Sequence, residues 1–209
     1  MSTTNSLPCR NIKPLIGGEI RVDKDALLSG AHAAEIRELL EQRGVLVFPQ
    51  INLTDEEQLA FTATLGSIGH ERSGEELTTI SLDPAKSSAV EYLKGSFYWH
   101  FDGTMQDKPI YASILSAKIL PPEGGSTEFA STYAAYDALS DAEKQQCEGM
   151  TAMHSAWNTL FYYDAEPTVE KLDMFMAAGD IELPLVWTHK SGRKSLVLGC
   201  TARHINGMD

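Results

Sequence analysis

Residues Phe97-Tyr98-Trp99-His100-Phe101-Asp102-Gly103-Thr104 form the stretch around which the rest of the chain is organised. Its aromatic residues predict a strand, and Gly103 predicts a turn at the end of that strand. Because successive side chains of a strand point to opposite faces, we expect His100 and Asp102 to share one face. An imidazole and a carboxylate on one face can bind one metal ion together, and one further His would complete the 2-His-1-carboxylate site of non-haem Fe(II) oxygenases. The four aromatic residues of the stretch are expected to surround the pair with a dry, rigid wall.

The spacing of His100 and Asp102 is by itself weak evidence for a metal site. Six His and 29 acidic residues among 209 give roughly one His-x-Asp or His-x-Glu match by chance. The competing interpretation is a His and an Asp that are hydrogen-bonded to each other at the end of a strand. Other parts of the chain therefore have to decide between the two interpretations.

The composition is that of an ordinary globular protein, with 43% hydrophobic and 22% charged residues. A length of 209 residues favours a single domain, residues 1–209, with a sizeable buried core. The net charge of −12 disfavours nucleic acid and anionic membranes as partners, since both attract a basic surface. A small anionic substrate would therefore need a local cluster of Arg, Lys, His or metal, and the composition leaves a homo-oligomer open.

The cysteines and the N-terminus bear on the compartment. Cys9, Cys147 and Cys200 are widely spaced and form no Cys-x-x-Cys pattern, so neither a disulfide framework nor a thiolate zinc site is expected. The N-terminal residues show no basic segment followed by an apolar run, and no apolar stretch has membrane-spanning length. We therefore expect a cytoplasmic protein.

Helix signals are the clearest local patterns in the chain. An apolar stripe predicts a helix over residues 31–43, which Gly44 ends. Thr54 and Ser140 are each followed three residues later by Glu, so each predicts a capping box that begins a helix. His154 lies in a predicted strand and belongs either to the core or to a pocket. Further predicted elements are a fully buried strand over 45–48, strands over 110–117, 126–129 and 153–157, a helix over 168–178, and a hairpin of strands 185–187 and 195–198.

Five segments together carry a family resemblance. They are Gly44-Val45-Leu46-Val47-Phe48, Trp99-His100-Phe101-Asp102, Pro121-Pro122-Glu123-Gly124-Gly125-Ser126-Thr127-Glu128-Phe129, Ala134-Ala135-Tyr136-Asp137-Ala138-Leu139 and Thr188-His189-Lys190-Ser191-Gly192-Arg193-Lys194-Ser195-Leu196. In this order they resemble the TauD/TfdA family of Fe(II)- and 2-oxoglutarate-dependent dioxygenases. The resemblance covers residues 12–208, and the chance account of the His-x-Asp pair no longer competes.

The resemblance implies a fold and a reaction. The fold is α+β, a double-stranded β-helix or jelly roll with flanking helices. His100 and Asp102 are identified as Fe(II) ligands by the family motif, and Thr127 occupies the family's position for a hydroxyl that contacts a carboxylate of the cosubstrate 2-oxoglutarate. The implied reaction consumes O2, converts 2-oxoglutarate to succinate and CO2, and hydroxylates a small organic acid of the aryloxyalkanoate, sulfonate or sulfate type.

The chain also departs from the family pattern. The family's third iron ligand, a His, and the Arg that pairs with 2-oxoglutarate come after the region that matches residue 209, and His189 belongs to a hairpin that is not a ligand in the family. We expect the chain to be the N-terminal part of a longer enzyme, incomplete at its C-terminus, because the barrel would otherwise lack strands and expose sheet edges; a genuinely shortened form is the alternative. The activity of the 209-residue chain alone is open. Two rival functions are a non-catalytic jelly-roll binding module or inactive fragment, and a cupin-type metalloenzyme without a cosubstrate.

The substrate is the least specified part of the interpretation. Residues 195–208 resemble the aryloxyacetate branch of the family more than the taurine branch. Since the protein is strongly acidic, an anionic substrate needs a local cation or donor, and the candidates are His70, Arg203 and His204. The competing interpretation places Arg203 and His204 at a strand end, facing solvent.

Overall fold

The structure is a computed structural model that describes residues 6–69, 76–87, 89–106 and 110–208. The chain divides into two compact units. The first unit consists of Met1–Thr78 and Ile114–Ser131, and the second of Thr79–Ser113 and Thr132–Asp209. Among the described residues, no helix is both long enough and apolar enough to cross a membrane.

The first unit packs three helices with a small mixed sheet. Its strands follow the order β1-β2-β3, with β1 and β2 antiparallel and β2 and β3 parallel. Thr54 begins the third helix, and both halves of its predicted capping box with Glu57 are present. The second helix ends at Gly44, whose φ of 70° is the left-handed conformation that glycine adopts without strain. The elements are β1 Cys9–Asn11, β2 Gly18–Ile20, α1 Lys24–Leu28, α2 Ala33–Arg43, β3 Leu46–Val47 and α3 Asp55–Leu65.

The core of the first unit is built from apolar side chains of its helices, β2 and the connecting loops. The ring of Phe61 on α3 meets Phe48 edge to face, with 5.9 Å between the ring centroids. The apolar stripe that predicted the helix over 31–43 contributes Ile36, which is buried. The buried cluster consists of Leu7, Ile20, Leu27, Ile36, Leu53 and Phe61.

The second unit contains two sheets and five α-helices among its described residues. One sheet has the order β5-β4-β8, antiparallel throughout, and the other is the predicted hairpin of β6 and β7. The capping box predicted at Ser140 is present and begins α6. The elements are α4 Val90–Leu93, a 3-10 helix Lys94–Phe97, α5 Thr132–Asp137, α6 Asp141–Cys147, β4 Thr151–Ser155, α7 Ala156–Leu160, α8 Val169–Met176, β5 Asp180–Pro184, β6 Val186–Thr188, β7 Lys194–Leu196 and β8 Ala202–Ile205.

The central strand β4 forms the middle of the second unit. Ala152, His154 and Ser155 on β4 and Leu160 on α7 are fully buried. The register between β4 and β8 shifts between Met153 and His154, so the pairing with β8 is irregular at that point. The strand predicted over 153–157 is thus present as β4, and it leads directly into α7.

Several predicted strands are wrong. Among the described residues of 97–104, 110–117 and 126–129 no strand is formed, and residues 94–97 form a 3-10 helix instead. The strand predicted over 45–48 is present only as the shorter β3, and its Val47 is exposed rather than buried. Aromatic and β-branched residues favour a strand only where a neighbouring strand can pair with them. Mixed helices and sheets, the coarse part of the fold prediction, are confirmed.

Candidate metal centre

His100 and Asp102 lie together in the second unit, directly after the 3-10 helix. Their side chains approach each other with 3.5 Å between Nε2 of His100 and Oδ1 of Asp102. A turn, rather than the predicted strand alternation, brings them together: Gly103 has a φ of 73°, and its carbonyl accepts the N–H of Gln106 at 3.0 Å. Metal bonds to imidazole and carboxylate are about 2.0–2.2 Å long for zinc, so both atoms can reach one ion of similar size.

The imidazole of His100 is held in the tautomer that a metal requires. Its Nδ1 lies 2.7 Å from the carbonyl oxygen of Tyr98. Because a carbonyl oxygen can only accept, Nδ1 carries the proton and the neutral ring keeps its lone pair on Nε2. Nε2 is the atom that faces Asp102, so the hydrogen bond presents the correct nitrogen beside the carboxylate.

The charges of the pair stabilise each other. The carboxylate of Asp102 raises the pKa of His100, partial burial opposes that rise, and the Tyr98 carbonyl adds to it. His100 lowers the pKa of Asp102, burial opposes the change, and a hydrogen bond from Ser113 lowers the pKa further. The pair therefore favours a positive charge between the imidazole and the carboxylate, either a proton on Nε2 or a metal cation that replaces the proton.

The backbone of the pair is fixed by the segment that joins β7 to β8. The N–H of Cys200 donates to the carbonyl of Trp99 at 2.8 Å. A Cβ on Gly199 would lie 3.2 Å from the Trp99 carbonyl oxygen and 3.3 Å from Cα of His100. The two segments can therefore approach this closely only because glycine, which has no Cβ, occupies position 199.

A tyrosine cluster anchors the residue that precedes the pair. The ring of Tyr98 packs on Tyr162 and stacks on Tyr163, with centroids 5.0 Å and 6.4 Å away. The Tyr98 hydroxyl donates to the Tyr162 carbonyl at 2.7 Å. Lys171 lies over the ring of Tyr163 and bridges Glu91 and Asp164 at 2.6 and 2.7 Å. The Tyr98 carbonyl, which accepts the hydrogen bond from His100, therefore belongs to a residue whose ring is packed and whose hydroxyl is hydrogen-bonded.

The expectation of a dry aromatic wall is wrong for part of the stretch. Phe97 and Trp99 are 71% and 59% exposed, and the side chain of Asp102 is 53% exposed. Tyr98 and Phe101 are half-buried. The 3-10 helix that ends at Phe97 breaks the alternation that a strand would have imposed, so the aromatic residues do not line one face.

His154 lies in the core, next to Phe101 of the same stretch as the pair. Its side chain is fully buried, its ring is 6.5 Å from the ring of Phe101, and its Nδ1 is 2.9 Å from the hydroxyl of Thr201. Burial lowers the pKa of His154, so its ring is held neutral. Of the two locations left open for His154, the structure supports the core.

None of the contacts described above involves the other predicted residues. Thr127 belongs to the first unit, in the exposed segment 121–130, which has no helix or strand. His70 lies outside the described residues. Arg203 and His204 lie on β8 and are exposed, as the competing interpretation for them proposed. Among the described residues, no group of three or more His, Cys, Asp or Glu could hold a metal ion, so no third ligand joins the pair there.

Arg203 is already engaged by its neighbours. Its Nη1 donates to Oδ2 of Asp180 at 3.3 Å, and its guanidinium lies over the ring of Trp157 at 5.2 Å. Its Nε donates to Nδ1 of His204 at 3.2 Å. Because an N–H donor needs a lone pair opposite it, His204 carries its own proton on Nε2 in this contact.

The sequence matches the family described as taurine catabolism dioxygenase TauD, TfdA family, over residues 9–209. The chain belongs to this family. The TauD/TfdA-family chain is 31% identical to the alpha-ketoglutarate-dependent 2,4-dichlorophenoxyacetate dioxygenase of Cupriavidus pinatubonensis over 97% of this chain and 77% of the relative. It is 30% identical to the (S)-phenoxypropionate/alpha-ketoglutarate-dioxygenase of Sphingobium herbicidovorans over 97% of this chain and 75% of the relative.

The same likeness holds in three dimensions. The crystal structure of AAD-2 in complex with Mn(II) and N-oxalylglycine superimposes on the TauD/TfdA-family chain with a TM-score of 0.78 and 30% identity, covering 97% of this chain and 73% of AAD-2. The family resemblance predicted from the five ordered segments is confirmed. The roles of His100, Asp102 and Thr127 stay predictions.

Two contacts of the pair were missed by the sequence interpretation. Ser113, whose hydroxyl donates to Oδ2 of Asp102 at 2.6 Å, was assigned only to a strand, and Gly199 was given no role. The turn predicted at Gly103 indicates that the chain bends before Ser113, but it does not indicate that Ser113 reaches Asp102. Nothing in the local sequence around Gly199 indicates that it packs on His100.

Proposed function

We propose that this TauD/TfdA-family chain functions as an Fe(II)- and 2-oxoglutarate-dependent dioxygenase that hydroxylates a small organic acid, with release of succinate and CO2. The observation that carries the proposal is the geometry of the pair, in which Nε2 of His100 and Oδ1 of Asp102 lie 3.5 Å apart. Support also comes from the two relatives, which are named as alpha-ketoglutarate-dependent dioxygenases. When bound, Fe(II) would supply the binding of the cosubstrate and the reaction with O2.

The side chains of the pair would hold the metal through one nitrogen and one oxygen. The neutral imidazole of His100 offers Nε2, because its Nδ1 proton is donated to Tyr98. Asp102 supplies the negative charge that favours a cation at this position. Mn(II), the ion in the AAD-2 complex, is a suitable probe because it prefers the same oxygen and nitrogen donors without Fe(II) oxidation.

Thr127 and the jelly-roll topology complete the family interpretation. We assign the hydroxyl of Thr127 to a carboxylate oxygen of 2-oxoglutarate, to which it would donate a hydrogen bond. We also assign the chain to the double-stranded β-helix fold. Both assignments rest on the match over residues 9–209.

The substrate is assigned to the aryloxyalkanoate class, with sulfonates and sulfates as the other members of the predicted range. Relatives named for 2,4-dichlorophenoxyacetate and (S)-phenoxypropionate support this choice. Nε2–H of His204 is the donor proposed for the substrate anion, and Arg203 orients the His204 ring through its Nδ1. His70 is the further candidate from the sequence.

A binding module without catalysis is the rival function. The observation in its favour is that the described residues bring no third metal-binding side chain to the pair. A non-catalytic protein could use the same His and Asp to bind a metal or to stabilise the turn. The two functions differ in whether 2-oxoglutarate is converted to succinate.

The deciding experiment measures succinate and metal binding together. The complete protein is purified and incubated with Fe(II), 2-oxoglutarate, ascorbate, O2 and a panel of aryloxyalkanoates, alkyl sulfates and sulfonates, and succinate is quantified. We expect Fe(II)-dependent succinate that is abolished in His100→Ala and in Asp102→Ala, while both variants stay folded by circular dichroism. His32→Ala, a change on the first unit, serves as the matched control and should retain activity. Undiminished succinate in either variant removes the site assignment, and metal binding without any succinate supports the rival function.

A further inference from the structure

Ser113 contacts the oxygen of Asp102 that does not face His100. Its hydroxyl donates to Oδ2 at 2.6 Å, while Oδ1 lies 3.5 Å from Nε2 of His100. A distance of 2.6 Å is typical of a hydrogen bond from a hydroxyl to an ionised carboxylate, which is about twice as strong as a neutral one. The two oxygens of Asp102 are therefore not equivalent, because one accepts from Ser113 and the other faces the imidazole.

The turn after Asp102 explains how Ser113 reaches it. At Gly103 the backbone adopts a φ of 73°, and a Cβ there would lie 2.6 Å from Cγ1 of Ile110. Thr104 is buried, and its hydroxyl donates to the carbonyl of Phe101 at 2.8 Å, which closes the turn on the side of the pair. Ile110 can therefore pack directly against Gly103, and the chain returns towards Asp102 three residues before Ser113.

We propose that Ser113 is a positioning residue that engages Oδ2 of Asp102 and thereby makes Oδ1 the single metal-binding oxygen of this carboxylate. The proposal rests on the proposed function, since it assumes that Asp102 binds the metal. A carboxylate without such a bond can rotate and offer either oxygen, or both at once. With Oδ2 held by Ser113, the carboxylate would hold a metal ion through Oδ1 alone.

The expected effect is set by the exposure of the contact. Removing a hydrogen bond to a metal ligand typically costs 10–100-fold in metal affinity. Asp102 is 53% exposed, so water can replace part of what the hydroxyl provides. We therefore expect Ser113→Ala to weaken Mn(II) binding by about 10-fold, the lower end of that range.

The test compares Mn(II) binding across matched variants, with free Mn(II) measured by electron paramagnetic resonance. Ser113→Ala should bind about 10-fold more weakly than the unchanged chain, and Ser113→Thr, which keeps the hydroxyl, should restore binding. Ser96→Ala is the control, because Ser96 also donates a 2.6 Å hydrogen bond in the same unit, to the carbonyl of Leu93. The melting temperature of the metal-free protein should be the same for all of these variants.

Each alternative gives a different pattern in these measurements. Unchanged Mn(II) binding in Ser113→Ala overturns the positioning role, and so does a loss in Ser113→Thr as large as that in Ser113→Ala. A fall in metal-free melting temperature equal in both variants identifies Ser113 as a support of the turn and also overturns the proposal. Asp102→Ala distinguishes failure of the Ser113 proposal from failure of the metal site. If this variant binds Mn(II) as tightly as the unchanged chain does, the proposed metal site itself is wrong.

Discussion

Replacement of Gly199 by Ala tests whether the segment between β7 and β8 holds His100 in place. The backbone of Gly199 does not have a positive φ, so Ala is not strained by its own conformation. Its Cβ would instead lie 3.2 Å from the Trp99 carbonyl oxygen and 3.3 Å from Cα of His100. Ordinary contacts of this kind begin at 3.4 Å, so one segment has to move by a few tenths of an ångström. The neighbouring hydrogen bond from Cys200 to Trp99 would lengthen with it.

The magnitude follows from the cost of an extra methyl group at a tight contact. Overpacking of this kind usually costs 1–3 kcal/mol, and we expect about 1 kcal/mol because both segments are irregular and can shift. For a chain of this length, that lowers the melting temperature by about 2–4 °C. The affinity for Mn(II) should fall by more than the loss of stability alone would cause, because metal-binding side chains have to be held within about 0.5 Å of their required positions. The assay is Mn(II) titration, together with thermal melting of the metal-free protein.

Gly69→Ala is the matched control for this prediction. Gly69 also lacks a positive φ, and a Cβ there would meet nothing within 4 Å. Its replacement should change neither melting nor Mn(II) binding. If Gly199→Ala also leaves both unchanged, the close approach of Gly199 is not what fixes His100.

Two further predictions concern the substrate and acid stability. His204→Ala should raise KM for the preferred aryloxyalkanoate more than it lowers kcat, because the lost interaction is one that the substrate and the transition state share. An unchanged KM in this variant, or an enzyme that prefers taurine as substrate, would contradict the substrate assignment. Hydrogen bonds from Lys171 and Lys94 lower the pKa of Glu91 from 4.5 to about 2, so its contribution to stability is complete above pH 4.5 and is lost as the pH falls towards 2. The difference in melting temperature between the unchanged chain and Glu91→Gln should therefore shrink over this range, and a constant difference would refute the role of the ion pairs.

Local signals predicted the helices because the residues that decide them lie within one turn. Thr54 and Glu57 satisfy each other's backbone N–H groups, and Gly44 ends α2 by adopting a positive φ. Neither interaction depends on a distant part of the chain. The capping box at Ser140 was predictable for the same reason.

Strand predictions failed because a strand depends on a partner that the local sequence does not specify. Residues 110–117 and 126–129 have the composition of strands, yet no paired neighbour is present for them among the described residues. Leu115 in the first of these ranges is strongly exposed, and so are Ile119 and Leu120 just after it. The hairpin of β6 and β7 was predictable because its partner follows after a short turn.

The close approach of His100 and Asp102 was predictable from the sequence, whereas the residues that support the pair were not. A motif names His100 and Asp102 through their spacing, and a short distance in sequence keeps them together under either a strand or a turn. Ser113 and Gly199 reach the pair only because the chain folds back on it, once through the turn at Gly103 and once through the link between β7 and β8. Contacts of this kind belong to the tertiary structure, and single-sequence patterns do not encode them.

Because the side chains of His100 and Asp102 are partly exposed, their fixed positions need an explanation other than burial. With the His100 side chain 35% and the Asp102 side chain 53% exposed, burial cannot be what holds these two side chains in place. Instead, each side chain has one polar atom engaged in a hydrogen bond: Nδ1 of His100 donates to the Tyr98 carbonyl, and Oδ2 of Asp102 accepts from Ser113. The two remaining atoms, Nε2 and Oδ1, are the ones that face each other. Directional hydrogen bonds therefore orient the two side chains where packing does not. If the proposed metal site is correct, variants that break those bonds should weaken metal binding more than they lower the stability of the fold.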